Sequence, residues 1–128
     1  MNIRKPADYS AMYQELTAIL LRNLPQMEEV CAIGKAVNQR PEKGAAVAAA
    51  EFLQANFPDR AGFSPRNVRR MRDFCKLYEN DEPLLRLAMK IGWTLNVVIM
   101  EAELTRDTRQ WYLRKANAGG LSKAELLE

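Results

Sequence analysis

The chain has 128 residues, of which 48% are apolar and 27% charged, and a formal net charge of +3. That length fits one domain able to bury its own core, and so small a positive excess permits an anionic partner without demanding one. Histidine is absent, which removes the usual general base, most zinc sites and every Ser/His or Cys/His nucleophile pairing.

Tyr9, Met12, Tyr13, Leu16, Ile19 and Leu20 recur at three- and four-residue steps. They predict an amphipathic helix over about residues 6 to 22. Asn23-Leu24-Pro25 breaks it. Met27, Val30, Cys31, Ile33, Gly34 and Val37 predict a second helix, with Pro25 near its first turn. Gly34 sits mid-helix, where glycine costs about 1 kcal/mol relative to alanine. Close approach of a second helix is the functional explanation, and drift at a tolerant site the plain one.

Asn38-Gln39-Arg40-Pro41-Glu42-Lys43-Gly44 is a polar connection without an apolar anchor, expected as a mobile loop. A third helix is expected over about residues 45 to 56. Six alanines make its first half thin, and Phe52, Leu53 and Phe57 anchor it.

The next stretch, Gly62-Phe63-Ser64-Pro65-Arg66-Asn67-Val68-Arg69-Arg70-Met71-Arg72-Asp73-Phe74, reads as a turn entering a helix. Ser64 suits an N-cap and Pro65 the first helical position. Val68, Met71, Phe74, Cys75 and Tyr78 share one face. Arg66, Arg69, Arg70, Arg72 and Lys76 spread over the opposite arc. Asn67 leans toward the apolar side, so packing or capping is favoured over base reading.

Glu79-Asn80-Asp81-Glu82-Pro83 stops that helix and starts another, with Asn80 or Asp81 as N-cap. Leu84 to Ile91 predict a short fifth helix, interrupted at Gly92. Trp93 to Leu104 is apolar almost throughout. Its Val97-Val98-Ile99 has strand character, yet the helical surroundings favour a buried helix. Thr105 caps a further helix through about Asn117, anchored by Trp111, Tyr112 and Leu113 and stopped at Ala118-Gly119-Gly120. Ser122-Lys123-Ala124-Glu125 has capping-box spacing, so another helix is announced, and a longer relative is expected to continue it.

Repeats and sustained heptads are missing from the sequence. Residues 1–128 are therefore expected as a single all-α domain, a compact bundle of about six or seven helices, with a helix-turn-helix-like pair at about 45–56 and 65–78. Cys31 and Cys75 lie on apolar faces and read as buried free thiols in a reducing compartment. No apolar run reaches the length of a membrane span. No hydrophobic signal segment follows the basic start Met1-Asn2-Ile3-Arg4-Lys5. A cytoplasmic location without a membrane partner is expected.

The run from Gly62 to Phe74 resembles the signature of one family, the N-terminal domain of YhcG-type proteins, also called domain of unknown function 1016. That family shows Gly-Phe-Ser-x-x-Asn-hydrophobic-x-x-Met-x-x-Phe. Other pieces are similar in the same order: Ile33-Gly34-Lys35, Leu53 to Phe57, Trp93 with Asn96, Trp111-Tyr112-Leu113 and Gly120-Leu121-Ser122. The resemblance runs from about residue 9 to the end. Leu95 stands where the family commonly has His, and Leu121 where it has Trp. The resemblance implies a helical domain that in relatives precedes a nuclease domain of the PD-(D/E)XK type. The Asp…Glu-x-Lys constellation such a nuclease needs is not evident in this sequence, so the activity is not carried over.

Three functions are compatible with these residues. The arginine-rich helix favours a DNA-binding module, with Arg66, Arg69, Arg70, Arg72 and Lys76 as its contacts. Its weak point is the connection over residues 57 to 64, longer than a usual helix-turn-helix turn. The alternative is a protein-interaction or dimerisation module, forming a homodimer or positioning a nuclease partner. It draws on Trp93, the Leu95-to-Leu104 run, Trp111 and Tyr112. An enzyme built on Glu101, Glu103 and Asp107 is the least favoured, because acids near a helix start are usually dipole partners. No cofactor and no metal are expected.

Overall fold

The computed structural model describes residues 8–42 and 44–119. Among these residues it has seven helices and no strand: α1 Ser10–Leu21, α2 Gln26–Asn38, α3 Ala45–Asn56, α4 Pro65–Tyr78, α5 Glu82–Met89, α6 Trp93–Glu101 and α7 Arg106–Asn117. The all-α expectation holds. The helix announced at Ser122 lies outside the described residues, as do residues 6 and 7 of the first expected helix.

α4 is the central element. It packs most extensively on α2, then on α3, and also touches α5 and α6. α1 closes the group from the side of α2 and α3, while α5, α6 and α7 pack as a smaller group on the far side. The inner face of α4 is the expected one: Val68, Met71, Phe74, Cys75 and Tyr78 are all buried. Of these, Val68, Met71, Phe74 and Tyr78 join Leu16, Ile33, Val37 and Leu53 in one core.

Gly34 explains the tightness of the α2–α4 pair. A Cβ built there would stand 2.4 Å from the Met71 carbonyl oxygen and 2.9 Å from Cys75 Cβ. The backbone of α2 at Gly34 therefore lies directly against the α4 backbone at Met71, and close approach accounts for the mid-helix glycine. α3 uses its small residues in a similar way: Ala45, Ala46, Ala49 and Ala50 are buried.

Local chemistry sets the helix starts. Ser64 Oγ accepts from the Asn67 backbone N–H at 3.1 Å. Asp81 caps α5 by accepting from Leu84 N–H, and its carboxylate is also held by Arg106 at 2.7 and 3.1 Å, which joins the starts of α5 and α7. That guanidinium holds the Asp81 carboxyl below its ordinary range. Thr105 caps α7 by accepting from Thr108 N–H at 3.3 Å.

Two expectations need correction. The helix at 93–104 is shorter and less buried than its composition suggests. It ends at Glu101, a turn with Glu103 at φ 53 follows, and only Asn96 and Ile99 of the helix are buried. An evenly apolar sequence does not say which side will find a neighbour; α6 packs on α4 and α7 and leaves the rest of its perimeter half-buried or exposed. The polar connection after α2 also has an anchor. Arg40 pairs with Glu42 at 2.9 Å and lies over the Tyr9 ring, 5.0 Å from its centroid.

Candidate nucleic-acid interface

The turn into α4 is built by the signature residues. Gly62 has φ +89, a conformation that a side chain at this position would strain. Phe63 is buried beneath it, and its carbonyl accepts from Gln54 Nε2 at 2.9 Å. Asn67 donates from Nδ2 to the Gly62 carbonyl at 2.6 Å and accepts at Oδ1 from Trp93 Nε1 at 3.0 Å. Asn67 is thus a brace between the turn, α4 and α6, in line with the packing or capping expected for it. Trp93 in turn meets Phe74 edge-on at 5.6 Å.

The five candidate contacts do not share one environment. Arg66, Arg69 and Lys76 are exposed, and none has an ion-pair partner among the described residues. Arg70 reaches across to α6 and pairs with Glu101 at 2.8 Å. Arg72 lies on the opposite flank, where its Nε donates to Asp73 at 3.3 Å and its carbonyl accepts from Asn38 Nδ2 at 3.0 Å. The Arg70 guanidinium is therefore tied to α6, and that of Arg72 to its neighbour on α4. A half-exposed ion pair of this kind contributes roughly 0–1 kcal/mol to stability, but it restrains the guanidinium.

Positions 66, 69, 73 and 76 follow one another at three- and four-residue steps, so they line a single outward stripe of α4. The stripe reads Arg66, Arg69, Asp73, Lys76, and all four are exposed. Asp73 is the member that charge counting alone passes over, although helical spacing marks it.

Two clefts flank α4. One, of about 310 Å³, lies by its N-terminus and is lined by Gln26, Glu29, Arg60, Asn67 and Trp93 among others. Glu29 is buried, and Arg60 Nη2 donates to its Oε1. The second, of about 510 Å³, lies between α2, α4 and α5 and includes Cys31, Cys75 and Met89. Both thiols are free. Cys31 Sγ sits 3.4 Å from Met89 Sδ, and burial pushes the Cys31 thiol up to about 11. A thiol so protonated is a poor nucleophile at neutral pH.

Glu101, Glu103 and Asp107 line neither of these two clefts. Glu101 is occupied by Arg70, Glu103 forms the α6–α7 turn, and Asp107 lies in the first turn of α7. Among the described residues no group of three or more His, Cys, Asp or Glu is placed to hold a metal ion.

The family model described as the DUF1016 N-terminal domain matches residues 28–128. The match starts later than the resemblance, which ran from about residue 9, and leaves α1 outside it. No curated protein and no solved structure matches the chain.

Proposed function

The chain belongs to the DUF1016 N-terminal domain family, and from that premise we propose that it is a non-enzymatic DNA-binding module acting through the outer face of α4. The observation that supports this most directly is the set Arg66, Arg69 and Lys76, three exposed cations along one helix that make no ion pair among the described residues. Cations free of internal partners can displace counterions from a phosphate backbone. The α3–α4 pair is loosely of helix-turn-helix kind, with α4 as the reading helix. Arg70 and Arg72 have the lesser part, because each must first leave its carboxylate. A cytoplasmic setting suits this role. No helix among the described residues is long and apolar enough to cross a membrane.

Fluorescence anisotropy of a short mixed-sequence duplex at low and moderate salt tests the proposal. Affinity is expected to fall steeply as salt rises. Salt-insensitive binding, or none by a folded chain, would contradict it.

One observation favours a second function, a protein-interaction or dimerisation module that positions a nuclease or another partner. Trp111 is 55% exposed on α7 and meets Tyr112 edge-on, and Tyr112 in turn lines a shallow apolar cleft with Val98 and Leu104. Exposed tryptophan is enriched at protein interfaces. Under this function a Trp111→Ala chain would lose self-association in sedimentation, whereas a monomeric native chain would exclude a homodimer.

A further inference from the structure

We propose that the outward stripe of α4 reads base edges in the major groove of duplex DNA, and that Asp73 sets its base preference. This rests on the DNA-binding function just proposed and goes a step beyond it.

The stripe Arg66, Arg69, Asp73 and Lys76 is what α4 leaves open. The opposite side is buried in the core, and the flanking Arg70 and Arg72 are held by Glu101 and Asp73. At 1.5 Å per residue the stripe extends about 15 Å, roughly four base-pair steps. An α-helix about 10–12 Å across fits a major groove about 12 Å wide.

The carboxylate in the stripe separates base reading from plain phosphate binding. The Asp73 Oδ1 meets Arg72 Nε at 3.3 Å, and on a surface that only neutralised phosphates an exposed carboxylate between Arg69 and Lys76 would oppose the ligand. Facing base edges, the same carboxylate is an acceptor for the cytosine N4 amino group, just as an arginine fork is a donor pair for guanine O6 and N7. Arg69 lies four residues before Asp73, so their Cβ atoms are about 5–6 Å apart, between one and two base steps. The two do not pair with each other; the acceptor of Arg72 Nε is Asp73 Oδ1, at 3.3 Å. The Arg69 fork is left open. The ligand class is therefore duplex DNA containing G·C pairs, with Arg69 on guanine and Asp73 on cytosine.

The test is selection from a randomised duplex pool with the full chain, Asp73→Ala and Asp73→Asn. Both substitutions are at an exposed helix position, and circular dichroism checks that the variants are folded. The native chain is expected to enrich a G·C pair at a fixed place. Asp73→Ala should bind unselected duplex a few-fold more tightly, yet lose roughly tenfold preference at one base pair. Asp73→Asn should move that preference toward adenine, which an amide matches as donor and acceptor. Binding with no enriched pair, or enrichment unchanged in Asp73→Ala, would overturn the inference while leaving DNA binding in place. Failure of the folded native chain to bind any duplex at low salt would overturn both.

Discussion

Asn67 and Trp93, 26 positions apart in the chain, are joined by a 3.0 Å hydrogen bond from the indole Nε1 to the amide Oδ1. The other end of the same amide holds the Gly62 carbonyl. One side chain thus fixes the entry turn of α4 and the start of α6 together. Asn67→Ala removes both bonds and leaves the half-buried indole N–H unpaired. We predict a loss of about 1–3 kcal/mol in urea denaturation. Asn67→Asp keeps the acceptor for Trp93 but sets a carboxylate oxygen against the Gly62 carbonyl oxygen, so it too should destabilise at neutral pH. Equal stability of Asn67→Ala and the native chain would show that the brace carries no load.

Gly34→Ala is predicted to destabilise although alanine is the better helix former. The added methyl meets the Met71 carbonyl oxygen at 2.4 Å, and backbone cannot move aside as a flexible side chain can. Overpacking of this kind costs about 1–3 kcal/mol, outweighing the gain of about 1 kcal/mol in helix propensity. A denaturation midpoint that rises would contradict the packing of α2 on α4.

Stability should fall in alkali before the chain loses its secondary structure by other routes. Burial pushes the Cys31 thiol from 9.0 to about 11 and the Tyr78 hydroxyl from 10.0 to about 12. Arg109, over the Tyr78 ring, pulls the other way but more weakly. The folded chain therefore binds these protons more tightly than the unfolded chain. Their contribution is fully present below pH 9 and is lost as pH rises from about 9 to about 12. Urea midpoints measured across that window should decline, and Cys31→Ala should flatten the lower part of the decline. A midpoint constant to pH 12 would contradict the burial of both groups.

Neighbouring positions on α7 should behave in opposite ways. Leu113 is 0% exposed, and Leu113→Ala should cost about 2–5 kcal/mol. Trp111 is 55% exposed, and Trp111→Ala should cost no more than about 1 kcal/mol, chiefly the contact with Tyr112. A large loss at Trp111 would place it in the core and remove the observation behind the interaction function.

The start of α4 was legible in the sequence because its signals are local. Ser64 and Pro65 act within one turn, and the apolar face of Val68, Met71 and Phe74 repeats at the helical period. Gly34 was legible only as a question, since its answer lies on Met71 in another helix. The burial of α6 is not legible, because a nearly uniform apolar run carries no period to mark its inner side. Helical spacing groups the five cations of α4 without sorting them. Arg70 differs from Arg69 through Glu101, 31 residues on, and such a pairing leaves no local trace.

The central claim is tested most directly by comparing two double variants on one duplex. Arg66→Ala/Arg69→Ala removes two cations of the open stripe, and Arg70→Ala/Arg72→Ala removes the two tied by carboxylates. Both change the net charge equally. Anisotropy titrations over a range of salt should show that the first variant loses most of the affinity and lowers the salt slope by nearly two, while the second loses much less. Equal losses in the two would mean that only overall charge matters. Binding undiminished in the first would mean that α4 is not the contact surface.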